Sequence, residues 1–89
     1  MARIVFTQQL RRFTDAPDVD APAATLRAAL DAAFALNPRL RGYVLDDQGH
    51  LRGNVVAFID GRRCRERERL DDVLQPDSEV HVMQALSGG

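Results

Sequence analysis

Hydrophobic and polar positions change rhythm several times along the chain. From Arg3 to Thr7 β-branched and aromatic residues dominate, which predicts a first strand. The polar segment Gln8 to Thr14 then predicts a turn, completed by Asp15-Ala16-Pro17-Asp18. Val19 to Ala21 follow as a short returning strand, limited in length by Pro17 and the aspartates. Pro22 suits a first helical position, with Asp18 and Asp20 placing negative charge near the positive end of the helix dipole. Leu26, Leu30, Ala33 and Phe34 recur at helical spacing. They predict a helix with a core-facing stripe, stopped by Asn37-Pro38 because the residue before proline disfavours the α region.

The second half alternates between turns and apolar runs. Arg41 to Leu45 reads as a strand, Asp46-Asp47-Gln48-Gly49 as a turn, and Gly53 to Ile59 as a longer strand. Asp60-Gly61 is the strongest turn signal in the chain. After the charged run Arg62 to Arg69, the residues Leu70, Val73 and Leu74 fit one helical turn or a 3₁₀ segment. Pro76-Asp77 turns the chain again, and Ser78 to Ala85 predicts a last strand that runs into Leu86-Ser87-Gly88-Gly89. This order predicts an α+β domain: a mixed four- to five-stranded sheet with one long helix packed on one face, a β-grasp arrangement. Residues 1–85 form the expected domain and residues 86–89 an expected flexible tail.

Length and charge narrow the function. With 89 residues and 45% hydrophobic content the chain fits a single domain with a modest core. The formal net charge is -1, so no global field draws the protein to nucleic acid or to an anionic membrane. All twelve basic residues are Arg and Lys is absent, which leaves no side-chain amine for self-conjugation. A single cysteine, Cys64, precludes an internal disulfide, and no apolar run is long enough to span a bilayer. The cytoplasm is the expected compartment.

Two terminal glycines arise by chance in roughly one chain in two hundred at a Gly usage of about 7%. Alone they read as a frayed terminus, so the preceding residues carry the weight. Leu10-Arg11-Arg12-Phe13-Thr14 after the first strand, Thr25-Leu26 early in the helix, and Val55 to Asp60 stand in a specific order. Leu70-Asp71-Asp72-Val73-Leu74 and Pro76-Asp77-Ser78-Glu79-Val80 follow, and the order ends on Gly88-Gly89. In these features the chain resembles the MoaD/ThiS-type sulfur-carrier family, ubiquitin-like β-grasp proteins that include the small subunit of molybdopterin synthase. The resemblance implies a carrier that is not itself an enzyme. It implies that a partner adenylates the Gly89 carboxylate with ATP and that sulfur replaces the adenylate. The resulting thiocarboxylate then donates sulfur to a biosynthetic pathway such as that of molybdopterin. ATP and the sulfur donor would belong to the adenylating and sulfur-transfer enzyme, with a pathway synthase or catalytic subunit as a second partner and no cofactor bound by this chain. Family tails more often carry proline or valine and then alanine before the glycines, whereas Leu86-Ser87 stands here, which leaves the pathway open.

The tail suits that chemistry physically. Without Cβ atoms Gly88 and Gly89 add minimal bulk and adopt angles closed to other residues, so the carbonyl carbon of Gly89 can be presented in a narrow channel. Four extended residues reach roughly 13 to 14 Å. Two further functions use the same frame: a ubiquitin-like modifier joined to target lysines through Gly89, and a β-grasp binding module with an inert tail.

Period-2 alternation groups Val56 and Phe58 with His81 and Met83. If the helix covers the opposite faces of their strands, these four form an apolar patch for the activating enzyme. Three weaker signals resolve toward structure. The run Arg62 to Arg69 interleaves five arginines with two glutamates and reads as a solvated edge rather than a nucleic-acid site. Cys64 reads as a half-buried structural thiol. His50 and His81 are isolated, so no metal site is expected.

Overall fold

A computed structural model describes residues 1–12, 14, 16 and 18–84. Strand β1 (Ala2–Phe6) lies between β2 (Val19–Ala21) and β5 (Glu79–Gln84), antiparallel to the first and parallel to the second. β5 pairs antiparallel with β3 (Val55–Ile59), and β3 forms a hairpin with β4 (Arg62–Arg63), giving the sheet order β2-β1-β5-β3-β4. Helix α2 (Leu26–Leu36) covers one face through buried Leu26, Ala29, Leu30, Ala33 and Phe34. From the sheet, Ile4, Phe6, Val55, Ala57, Val80 and Val82 meet it, each at most 1% exposed. The mixed sheet of the β-grasp arrangement therefore forms as the periodicity predicts, with five strands.

Four local expectations are corrected. Gln8–Arg11 is not a turn but a short helix, α1, because the Thr7 carbonyl accepts from the N–H groups of Leu10 and Arg11 and Leu10 is fully buried. Pro22 does not open α2. Thr25 is its N-cap, with Oγ1 accepting from Ala28 N–H at 3.2 Å. Asp18 accepts from Arg3 at 3.0 Å and Arg11 at 2.7 Å, while Asp20 stands 3.9 Å from Arg3. Arg41 to Leu45 is not a strand: Pro38–Val44 forms helix α3, with Leu40 and Val44 buried one turn apart. Asn37 ends α2 and also caps α3, its Oδ1 accepting from Arg39 N–H at 3.2 Å. Pro38 fits the first turn of α3, where its missing N–H costs nothing. The predicted helix is thus α2, 11 residues ending before Asn37, and a second helix of 7 residues, α3, follows it.

The segment Leu70 to Leu74 is not helical, for a reason that lies in α2. The first N–H groups of a helix lack intrahelical partners. Here the Asp72 carbonyl accepts from Leu26 N–H at 3.0 Å and the Leu70 carbonyl from Arg27 N–H at 2.8 Å. Leu70, at φ 58, and Leu74 are buried while Val73 is 72% exposed. Arg27 completes the seam, donating from Nε to the Arg69 carbonyl and from Nη2 to the Glu68 and Gly49 carbonyls.

Asp60 and Gly61 turn the β3–β4 hairpin at φ 52 and 85, the left-handed pair that a two-residue hairpin loop requires. The Asp60 carboxylate also accepts from Glu79 N–H at 2.9 Å and from Ser78 Oγ at 2.8 Å, tying the turn to the start of β5. Those bonds, Glu79 N–H first, hold its carboxyl below the usual carboxylate range. A carboxyl whose pKa is lower folded than unfolded stabilises the fold above its unfolded value and loses that contribution as pH falls through the folded one. Asp60→Asn keeps the tolerance for positive φ and removes the charge. It is expected to unfold at lower urea than wild type near neutral pH, with the difference closing below about pH 4. Equal midpoints at neutral pH would show that the carboxylate adds nothing.

Candidate functional site

The two faces of the sheet differ sharply. Along β3, Val55, Ala57 and Ile59 are buried beneath the helical layer, while Val56 and Phe58 are half-buried on the other side. Along β5, Val80 and Val82 are buried, whereas His81 is half-buried and Met83 is 42% exposed. Cross-strand register brings these together, with Val56 opposite Met83 and Phe58 opposite His81. Directly paired residues on one face have Cβ atoms about 5 Å apart, so the four residues grouped by alternation share one surface.

The register adds two residues that alternation alone did not identify. Val5 pairs with His81 from the β1 side, and Arg63 pairs with Phe58 from β4. One row across the open face therefore reads Val5, His81, Phe58, Arg63, with Met83 and Val56 alongside it. Val5 carried half of the signal, since it alternates with Ile4 and Phe6. The missing half was the parallel pairing of the first and last strands. Glu79 Oε1 lies 3.4 Å from His81 Nε2 and gives the apolar surface one polar corner. The last strand is described as far as Gln84. Ala85, Leu86, Ser87, Gly88 and Gly89 lie outside the described residues; five residues beyond Gln84 span at most about 18 Å.

Other chemistry-bearing groups are occupied structurally. Cys64 is buried, and that burial pushes its thiol pKa up, with the Asp72 carboxylate adding to the effect. A thiol held in its neutral form is a poor nucleophile. Asp46 closes the turn before His50, accepting from the N–H groups of Gln48 at 2.9 Å and His50 at 3.0 Å; these bonds, His50 first, lower its carboxyl pKa. Within the charged run, Arg67 donates to the carbonyls of Arg52 and Val55, both at 2.6 Å. Among the described residues no group of His, Cys, Asp or Glu is placed to hold a metal ion. Among the same residues no helix is long and apolar enough to cross a membrane.

Comparison with known proteins places this geometry. A model described as the ThiS family matches residues 4–89. No curated protein matches the sequence. Among solved structures, SAMP1 of Haloferax volcanii aligns with a TM-score of 0.77 at 24% identity, covering 99% of this chain and 98% of that one. The small archaeal modifier protein 1 of Methanosarcina acetivorans aligns at 0.78 and 20% identity, over 99% and 95% of the two chains. A chain of the BexX/CysO complex of Amycolatopsis orientalis aligns at 0.81 and 14% identity over 100% of both. At these identities the structural likeness establishes the ubiquitin-like β-grasp fold.

Proposed function

The chain belongs to the ThiS family, and from that membership we propose that it is a sulfur carrier whose Gly89 carboxylate is activated and converted to a thiocarboxylate. The observation that carries this is the extent of the family match, which runs from the first strand to residue 89 and so includes Gly88-Gly89. A partner enzyme directs the carboxylate onto the α-phosphorus of ATP, releasing pyrophosphate and making AMP a leaving group at the carbonyl carbon. Hydrosulfide delivered by that partner then displaces AMP, the C–S bond forming as the C–O bond to AMP breaks, which leaves the free thiocarboxylate. Gly88 supplies clearance for the approach, and Ser87 with Leu86 connects the reacting end to the domain. The face formed by Phe58, Val56, His81 and Met83 docks the activating enzyme. A pathway synthase or larger catalytic subunit accepts the sulfur. The chain itself performs no step of bond making; it presents a carbon atom.

A second function shares the chemistry up to the adenylate: joining Gly89 to amines of target proteins. It is supported by the likeness to a protein named a small archaeal modifier. Intact-mass measurement of the protein from its native host under sulfur demand separates the two. The carrier is expected to show one oxygen-to-sulfur exchange, lost when Gly88 and Gly89 are deleted. High-mass conjugates released by no thiol would instead identify the modifier, and an unmodified terminus would remove both.

A further inference from the structure

The row of side chains across the open face has a histidine at its centre. His81 stands with Val5 of β1 on one side and Phe58 of β3 on the other. Met83 follows it by two positions along β5, toward the end from which residues 85–89 continue, and Glu79 precedes it by two. The other histidine, His50, lies between α3 and β3 and outside the sheet. Histidine is the side chain whose ordinary titration falls between about pH 5 and pH 8. The charge at the middle of an otherwise apolar row is therefore set by one proton.

The groups around His81 decide what that proton does when the face is covered. On its own strand, Glu79 Oε1 lies 3.4 Å from Nε2, with the two side chains 57% and 43% exposed. On β1 the charged neighbour is Arg3, opposite Glu79 in register and already paired with Asp18 and Asp20 of the β2 side. From α1, which packs against β5, Arg11 is held by Asp18 and by the Phe6 carbonyl. The outward positions of β3 are Val56 and Phe58, which carry no charge, and beyond Phe58 stands Arg63 of β4. An imidazolium here has one half-exposed carboxylate in its favour, a contact worth little at a surface, and the Arg63 guanidinium against it. Its two flanks, Val5 and Phe58, offer no side-chain acceptor.

We propose that the face docks its partner with His81 neutral, so that protonation of this one side chain weakens docking of the chain on its activating enzyme. The proposal rests on the reading of this face as the docking surface. Covering the row removes water from a ring held between two apolar side chains, and removal of water disfavours the charged form far more than the neutral one. Glu79 does not offset that cost, because it stands in the polar row with Arg3, toward the end of the sheet away from Met83 and the tail. Proton and partner therefore compete for the chain, and docking expels the proton.

The test is calorimetric binding of the full chain to the adenylating enzyme of the same host, purified by the ATP–pyrophosphate exchange it shows with this chain. Wild type is expected to bind about tenfold more weakly at about pH 5.5 than at about pH 8. At intermediate pH, buffers of different ionisation heat should reveal release of a fraction of a proton on binding. Groups of the enzyme titrate too, so the deciding quantity is the affinity of wild type relative to His81→Gln at each pH. That ratio should fall about tenfold across the range, while the ratio of wild type to His50→Gln stays within about twofold. Amide spectra of each chain at the lower pH keep folding apart from docking. Affinity of Phe58→Asp equal to wild type would remove the docking surface and the switch with it. Weakened Phe58→Asp together with a constant ratio of wild type to His81→Gln would overturn the switch alone, as would proton release that persists in His81→Gln.

Discussion

Replacing Phe6 with alanine is expected to lower the unfolding free energy by about 3–5 kcal/mol, the range for deleting a buried ring from a packed core. Phe6 is 1% exposed and closes β1 opposite Val82 on the parallel β1–β5 seam. Its carbonyl accepts from Arg11 Nε at 3.1 Å, so the position also anchors the turn into α1. A domain of this size holds about 5–15 kcal/mol in total, and the loss would consume a large share of it. Urea denaturation should show a lower midpoint with an unchanged slope, because the surface exposed on unfolding is nearly the same. A cost below about 1 kcal/mol would mean that the ring does not fill the space between sheet and α2.

Where local chemistry decides local structure, the sequence was a sufficient guide. The stripe Leu26, Leu30, Ala33, Phe34 and the alternations of β3 and β5 each follow from one period over a short window, and all of these positions take the predicted side. Asp60-Gly61 turned the chain because only residues tolerant of positive φ fit there. Failures came where the deciding partner is distant. Asn37-Pro38 is both a legitimate stop and a legitimate start, and what selects α3 is burial of Leu40 and Val44, which outweighs the poor helix propensity of Gly42 and Tyr43. Leu70 to Leu74 has helical spacing, yet its carbonyls serve the N–H groups of Leu26 and Arg27, far away in sequence. No window of ordinary length contains both partners.

The candidate site divides the same way. Phe58, Val56, His81 and Met83 were accessible to period-2 reasoning, but Val5 and Arg63 entered only through the pairing of β1 with β5 and β3 with β4. Those two change the chemistry of the face. Phe58, Val56, His81 and Met83 alone describe a largely apolar patch; with Arg63 the row gains a cation at one end. The charge asymmetry of any protein that covers the face is thereby set, since a like charge opposite Arg63 would cost binding energy.

The sharpest test of which face is which uses one substitution at adjacent positions. Phe58→Asp places a carboxylate on the half-buried outer surface, where water still reaches it, and is expected to leave the fold intact. Ala57→Asp places the same group where the side chain is 0% exposed. Burying an unpaired carboxylate costs several kcal/mol, so Ala57→Asp is expected to abolish cooperative folding near neutral pH. Folded Phe58→Asp should then reveal its defect in function. With the host's activating enzyme, pyrophosphate exchange driven by this chain is expected to fall about a hundredfold in kcat/KM, in line with about 2–4 kcal/mol for a central aromatic anchor. Because docking precedes chemistry, the loss should appear as a raised KM for the chain with kcat at saturation largely kept. A loss confined to kcat would place Phe58 in the reaction rather than in docking. Unchanged exchange with an intact fold would move the enzyme to another surface, and a folded Ala57→Asp would reverse the assignment of the faces themselves.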